Sequence, residues 1–194
     1  MNLSWKLAGV IAGDLPESVL DTYETERKPH TRSMIELAKL IGAAMTQGGR
    51  AGNVLRQLIA PRLHRVPSLR NRILDSETPP LQRSSLVRRP RFRRSLAGRL
   101  CPNAILSDGR RVDDLGVDGF LMVTTVTPTC EQRQRLVESG THVIEVDPAS
   151  ELGTWLSRGG CVAALVRPDH TVLRGSRDLG SLTTAADPIL GADV

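Results

Sequence analysis

Aromatic side chains are scarce in this sequence of 194 residues, at 3% of the chain. The hydrophobic core must therefore be built mainly from Leu, Val, Ile and Ala. No stretch approaches the roughly 18 to 20 uninterrupted apolar residues that cross a bilayer, and the N-terminus has no basic flank followed by an apolar signal region. Because 40% of the residues are hydrophobic and 24% are charged, the composition predicts a globular protein. We expect it in the cytoplasm, with no membrane partner.

Cysteine is also rare, and its spacing argues against two kinds of site. Cys101, Cys130 and Cys161 form neither a CxxC pair nor a zinc spacing. A metal knuckle or a dithiol redox site is therefore not expected, and the pattern suits a reducing compartment.

The sequence lacks the short motifs that hold nucleotides or activate a nucleophile. It has no G-x-G-x-x-G after a strand and no P-loop, and there is no G-x-S-x-G elbow. Its four histidines share no metal-ligand spacing on one helix: they are His30, His64, His142 and His170. We therefore predict no catalytic, cofactor-binding or metal-binding residue in this chain.

Acidic residues are almost absent from the middle of the chain. Residues 46–100 hold thirteen arginines against only Asp75 and Glu77, whereas the formal net charge of the whole chain is +5. This asymmetry divides the chain into a helical segment over residues 1–47, a linker rich in Arg and Pro over 48–100, and a mildly acidic domain over 101–194.

Amphipathic patterns predict helices in the first segment. Asn2 is a candidate N-cap for the first helix and Gly13 is placed to end it, around apolar residues at helical spacing: Leu3, Leu7, Val10 and Ile11. A second helix is predicted from Pro16 and should kink or break at Pro29, because proline removes a backbone donor. A third pattern then follows as far as Gly48: Met34, Ile35, Ala38, Ile41 and Met45.

The prolines and a short helical pattern in the middle of the chain predict a linker with one or two helical turns. The helical pattern consists of Val54, Leu55, Leu58 and Ile59. The most basic run, LVRRPRFRRSLAGRL, is either a solvated connection whose arginines bridge to acidic neighbours or a phosphate contact to nucleic acid. Its single aromatic residue, Phe92, gives base stacking little support, so we do not expect nucleic acid as a partner.

Strand and helix signals alternate in the last hundred residues. Strands are predicted at 119–126 and 141–146, helices at 128–140 and 149–158, and a hairpin with its turn at 167–170. A βαβ unit followed by a helix and a hairpin is the order of a thioredoxin-like fold. The predicted fold class is therefore α+β or α/β, with a thioredoxin-like domain that lacks CxxC.

Cys130 stands where a thioredoxin-like domain carries its active cysteines. A thiol at a helix N-terminus favours the thiolate. No second cysteine lies two or three residues away, so two-thiol disulfide exchange is excluded. Two interpretations stay open: a buried or idle cysteine, or a single reactive thiol.

The stretches NLSWKLAGVIAG and VLDTYETERKPH resemble class A FAD-dependent aromatic monooxygenases, in the region after their second flavin motif. The nearest type is the phenol and 3-(3-hydroxyphenyl)propionate hydroxylases. The matching residues are Asn2, Leu3, Trp5, Lys6, Leu7, Ala8, Leu20, Asp21, Thr22, Tyr23, Glu24, Glu26, Arg27, Pro29 and His30. Farther on, LAGRLCPNAIL, DDLGVDGFLMV and AALVRPDHTVL are similar to the entry and the closing hairpin of that family's C-terminal domain.

The resemblance implies that this chain is the C-terminal part of a hydroxylase that uses FAD and NAD(P)H, without its N-terminal flavin-binding domain. It also implies that Trp5 and the Tyr23 face are covered by that domain, and that the thioredoxin-like domain is structural or related to dimerisation. We therefore expect neither cofactor to bind this chain alone.

Two functions follow as alternatives. The first is a part of the hydroxylase without independent catalysis, whose partner is a flavin-binding domain in trans or a second copy. The second is a non-catalytic thioredoxin-like interaction or dimerisation module whose basic linker docks on an acidic surface. An exposed apolar face around Leu3, Trp5, Leu7 and Tyr23 would favour the first, and a self-covered helical segment the second.

Overall fold

The computed structural model of the chain describes residues 1–46, 79–89 and 95–183. Helices α1 (Asn2–Ala12) and α2 (Asp21–Thr46) come first, and a unit of mixed α and β structure follows. Its strands are β1 (Leu121–Thr124), β2 (His142–Glu145), β3 (Ala163–Val166) and β4 (Val172–Ser176), and its helices are α3 (Cys130–Glu138) and α4 (Glu151–Arg158). The predicted helical pattern at residues 54–59 lies outside the described residues.

Helix α1 ends as the sequence predicts but does not begin as predicted. Gly13 follows it with φ of 82°, a left-handed conformation that glycine adopts without strain. The N-cap position belongs to Met1, so the prediction of Asn2 as the N-cap is wrong. Asn2 lies inside the helix, where its side-chain amide is taken by carboxylates from two other elements.

Helix α2 is continuous through Pro29, so the predicted break there is wrong. A 3-10 turn, Glu17–Leu20, begins after Pro16 and leads directly into α2. Proline inside a helix costs about 3 kcal/mol because one backbone hydrogen bond is lost. Buried contacts of Thr22 and Glu26 fix the helix before Pro29, and they offset that cost.

The four strands form one mixed sheet in the order β2-β1-β3-β4. Strands β1 and β2 are parallel, joined through α3, whereas the pairs β1/β3 and β3/β4 are antiparallel. The predicted order of strands and helices is confirmed. Thr129 and Ser150 cap the two helices, each accepting a hydrogen bond from a backbone N–H three residues on.

Apolar side chains cover both faces of the sheet, because successive strand residues point to opposite sides. On one face, Met122 and Leu165 pack with Leu136 of α3 and with Leu15 and Val19 after α1. The other face is covered by α4 and by residues 96–112. The first segment is therefore part of the core of the C-terminal unit.

Trp5 of α1 packs against the hydrophobic core on the Met122 face of the sheet. Its ring meets Phe120 edge to face, with centroids 5.8 Å apart and planes at 84°. This chain therefore covers part of Trp5 itself, and cover of the remainder by another domain stays a prediction.

The described part of the linker is packed rather than solvated. Leu81, Leu86 and Val87 are buried, and the backbone N–H of Arg88 donates to the carbonyl of Leu173 in β4. Gly98, with φ of 82°, donates its N–H to the carbonyl of Val172 and lies against the Leu81 backbone. The expectation of a solvated connection is wrong for these residues.

Candidate functional site

Four fully or almost fully buried charges meet where α1, α2 and the β3–β4 turn converge. Lys6 and Glu26 come from the two helices, and Arg167 and Asp169 from the turn. With the polar side chains of Asn2, Thr22 and Ser84 they form one hydrogen-bonded network, here called the charge cluster.

Glu26 is the centre of the charge cluster. Its Oε1 accepts hydrogen bonds from Ser84 Oγ at 2.6 Å and Arg167 Nη1 at 2.9 Å. Its Oε2 accepts from Lys6 Nζ and from Asn2 Nδ2, both at 3.1 Å. One carboxylate therefore binds α1, residue 84 and the β3–β4 turn to α2, although these parts are far apart in sequence.

All three nitrogen atoms of the Arg167 guanidinium donate hydrogen bonds. Its Nε and Nη2 bind the two carboxylate oxygens of Asp169 in a fork, and Nη1 also donates to the carbonyl of Leu86 at 3.2 Å. Its Cζ lies 5.4 Å from the centroid of the Trp5 ring, a cation–π distance. The turn itself is tight, since His170 adopts φ of 60°.

The charge cluster contains two cations and two carboxylates, and these charges shift the pKa values of its members. Burial alone would raise the pKa of Glu26, but the charge of Arg167 and the hydrogen bonds it accepts hold it below its ordinary value. Burial would likewise raise the pKa of Asp169, and the Arg167 hydrogen bonds and charge outweigh it. Burial lowers the pKa of Lys6 despite the charge of Glu26. Both carboxylates are thus ionised at neutral pH.

The charge cluster has a structural role, because its carboxylates are fully engaged in hydrogen bonds within the protein. Every carboxylate oxygen of Glu26 and Asp169 accepts at least two hydrogen bonds. A guanidinium does not act as a base in proteins because it stays protonated. The described residues contain no group of three or more side chains suited to a metal ion. The cluster therefore fixes α1 and α2 on the sheet.

Acid should weaken this anchor. The folded pKa values of Glu26 and Asp169 lie below their ordinary values, so their stabilisation is complete above the unfolded values near pH 4 and is lost as the pH falls through the folded ones. We expect urea unfolding midpoints to stay level from about pH 7 to 5 and to fall below about pH 4. An Asp169→Asn variant should lose part of that slope. A wild-type slope in this variant would contradict the assignment.

Cys130 is exposed, so its interpretation as a buried cysteine is wrong. It is the first residue of α3, after the Thr129 cap. Cys101 and Cys161 are buried and free, and burial raises their thiol pKa values to about 12 and about 11. No described thiol is thus paired with Cys130.

The described histidines lie on separate elements. His142 is on β2, His30 is on α2 beside Arg27, and His170 Nδ1 lies 3.4 Å from Asp113 Oδ1. His64 falls outside the described ranges. The structure does not bring these histidines together into a site.

A row of exposed apolar side chains lies on the outer side of the two helices, here called the apolar stripe. Leu3, Leu7 and Ile11 follow one another at i, i+4 and i+8 on α1, with exposed fractions of 37%, 40% and 84%. Such spacing puts them on one helix face, away from the Trp5 side. On α2, Tyr23, Met34 and Ile35 are also exposed, and they are counted with the stripe.

Sequence reasoning did not find the charge cluster. Glu26 belongs to a matching motif, and Arg167 and Asp169 fall in the predicted turn of the matching stretch AALVRPDHTVL, but neither signal pairs them. A signal existed at Lys6, because a cation beside Trp5 on the inner face of an amphipathic helix requires a buried partner. The identity of that partner depends on tertiary contacts.

The family model described as FAD binding domain matches residues 1–38, which contain α1 and most of α2. A 3-(3-hydroxy-phenyl)propionate/3-hydroxycinnamic acid hydroxylase of Burkholderia cenocepacia is 30% identical over 206 residues, covering 88% of this chain and 38% of that protein. The enzyme of the same name from Mycolicibacterium gilvum is 38% identical over 82 residues, covering 42% of this chain and 14% of that protein. The chain thus spans about two fifths of the length of the first of these relatives.

Solved structures are similar to this chain in fold. OxyS anhydrotetracycline hydroxylase from Streptomyces rimosus superposes with a TM-score of 0.68 at 27% identity, covering 100% of this chain and 40% of that one. The rebeccamycin biosynthetic enzyme RebC with reduced flavin gives a TM-score of 0.63 at 22% identity, covering 99% and 40%. Motifs, family match and fold together show that the chain is similar to part of these hydroxylases.

Proposed function

We propose that this chain is the C-terminal part of an FAD- and NAD(P)H-dependent aromatic-ring hydroxylase, and that it acts by packing against the flavin-binding domain without catalysing a reaction alone. The observation that carries the proposal is the apolar stripe. It lies within the residues that match an FAD binding domain, and more than a third of each of its side chains is left exposed by the described residues.

The described turn between a parallel strand and its helix does not fit FAD. A dinucleotide needs a glycine-rich turn between a strand and a helix, with free N–H groups aimed at the pyrophosphate. The turn between β1 and α3 contains no glycine, and the N–H of Gln132 is taken by Thr129 Oγ1. Flavin, and the oxygen chemistry that it supplies when bound, therefore belong to the domain that this chain would contact.

The apolar stripe has the properties of a docking face. Contiguous exposed apolar side chains are rare on free surfaces and mark sites of contact. Leu3 and Tyr23 from the two helices line one cavity of about 300 Å³ together with Leu100, so the stripe is continuous across the helix pair. Beneath it, the charge cluster holds both helices rigidly on the sheet.

We further propose that residues 101–194 form a thioredoxin-like domain with a scaffolding role. The sheet order β2-β1-β3-β4, with a parallel βαβ unit and an antiparallel hairpin, supports this assignment. Cys130 at the start of α3 has no second thiol nearby in sequence, so the unit would not exchange disulfides.

A non-catalytic interaction or dimerisation module is the second candidate. One observation favours it: Trp5 packs on this chain's own Phe120, so the inner side of α1 is self-covered. This module would present the apolar stripe to a partner other than a flavin-binding domain.

A hybrid enzyme tests the proposal. In the Burkholderia cenocepacia hydroxylase, this chain would replace the segment to which it aligns. The hybrid should retain FAD after desalting and oxidise NADPH when 3-(3-hydroxyphenyl)propionate is added. Leu7→Glu should weaken flavin retention about tenfold, because burying an unpaired carboxylate in an apolar contact is costly. A hybrid that folds but holds no flavin would exclude the proposal.

Two controls accompany the hybrid. Ser18→Glu adds the same charge at an exposed site outside the stripe and should leave flavin retention unchanged. The chain alone, incubated with excess FAD and desalted, should show no flavin absorbance between roughly 350 and 450 nm. Stoichiometric flavin on the chain alone would overturn the assignment of flavin binding to another domain.

A further inference from the structure

A groove of about 920 Å³ lies between residues 83–89, the end of α4 and strand β4. Neither a carboxylate nor an aromatic ring is found among its described lining residues. Six arginines line it: Arg83, Arg88, Arg89, Arg158, Arg174 and Arg177. Positive charge is therefore concentrated in one concave place, here called the arginine groove.

The arginines of the groove make no ion pair within the described part of the chain. The ion pairs of described arginines involve Arg110, Arg133, Arg135 and Arg167 instead. Arg88 Nε donates to the Ser85 carbonyl and Arg177 Nε to the Gly160 carbonyl, which leaves most of their N–H groups for other acceptors.

Three of these side chains, Arg88, Arg89 and Arg174, are half-buried. Withdrawing a guanidinium from water without a counterion is unfavourable, so their position calls for an anion. Stabilisation of the C-terminal end of α4 would explain only two of the six arginines. Arg158 and Arg177 lie at the C-terminal end of α4, where cations offset the helix dipole, but the other four come from residues 83–89 and β4.

We propose that the arginine groove binds a compact, multiply charged phosphate anion, such as a di- or triphosphate group. The planar guanidinium fork matches phosphate oxygens in pairs, and the groove volume is that of a small-ligand site. Since no aromatic ring is available in the described lining to stack on a base, charge is the recognised feature. The arginines surround one concavity, which suits a compact anion better than a long polymer.

Calorimetric titration of the full chain with sodium tripolyphosphate at about 50 mM salt tests this proposal. We expect submillimolar binding that weakens about tenfold or more in the double variant Arg88→Gln with Arg174→Gln, because charge-assisted hydrogen bonds are lost. The matched control, Arg110→Gln with Arg135→Gln, removes the same charge outside the groove. It should change the affinity less than about twofold, because distant surface charges are screened.

Each remaining outcome counts against the proposal. No heat and no shift in unfolding temperature at millimolar tripolyphosphate would overturn it. An equal loss of tripolyphosphate affinity in the control variant would show that net charge, and not the groove, determines binding. Binding of a thymidine oligonucleotide or of polyglutamate without binding of tripolyphosphate would assign the groove to a linear polymer. Unfolding curves of both double variants show whether each is folded. If the first groove variant does not fold, the double variant Arg83→Gln with Arg89→Gln tests the groove instead.

Discussion

Replacing Glu26 by Gln should lower the free energy of unfolding by about 3 to 5 kcal/mol. The side chain of Glu26 is fully buried and accepts hydrogen bonds from Asn2, Lys6, Ser84 and Arg167. The neutral amide has nearly the same shape, but it leaves Lys6 and Arg167 with Asp169 as the remaining carboxylate of the cluster. Removing one partner of a buried pair is costly because the other charge stays buried. Urea unfolding, with midpoint and slope both fitted, measures the loss.

Two further variants distinguish the stability effect of losing a buried charge from that of losing an exposed charge. Glu24→Gln breaks a pair with Lys28 in which both side chains are more than two thirds exposed, at 72% and 75%, and it should leave the unfolding midpoint almost unchanged because solvent screens the pair. Adding Lys6→Met to Glu26→Gln removes one buried cation and should recover part of the stability. A loss below about 1 kcal/mol for Glu26→Gln would show that the cluster is solvated.

The strands and helices after residue 118 were predictable because their signals are local. Four-residue apolar strands such as Leu121–Thr124 and Ala163–Val166 are buried along their whole length, and continuous apolar runs predict such strands. Ser150 and Thr129 precede their helices at the N-cap position, which is a signal of the same local kind.

The errors arise where distant residues decide the structure. Pro29 predicts a helix break by its own chemistry, yet tertiary contacts fix α2 just before Pro29, where Glu26 reaches residue 84 and residue 167. The same long-range contacts hide the charge cluster from sequence reasoning. Its members are separated by up to 167 positions along the chain, so no local spacing reveals them.

The contact between Trp5 and the sheet should contribute strongly to stability. Trp5→Ala should lower the free energy of unfolding by about 2 to 4 kcal/mol, because the cavity left by a large aromatic cannot fully close. The ring contacts Phe120 and lies beside the Arg167 guanidinium, so both the core and the charge cluster lose a neighbour.

Trp5→Phe keeps an aromatic ring at the same position and removes the indole N–H. The buried Nε1 of Trp5 has no hydrogen-bond partner among the described residues, so removing it breaks no bond. This variant should cost less than about 1.5 kcal/mol, as for other apolar replacements of similar volume. Urea unfolding of both variants, followed by circular dichroism, supplies the comparison. If Trp5→Ala costs less than about 1 kcal/mol, α1 gains little from the sheet. Its inner face, like the apolar stripe, would then depend on the flavin-binding domain that we propose as its partner.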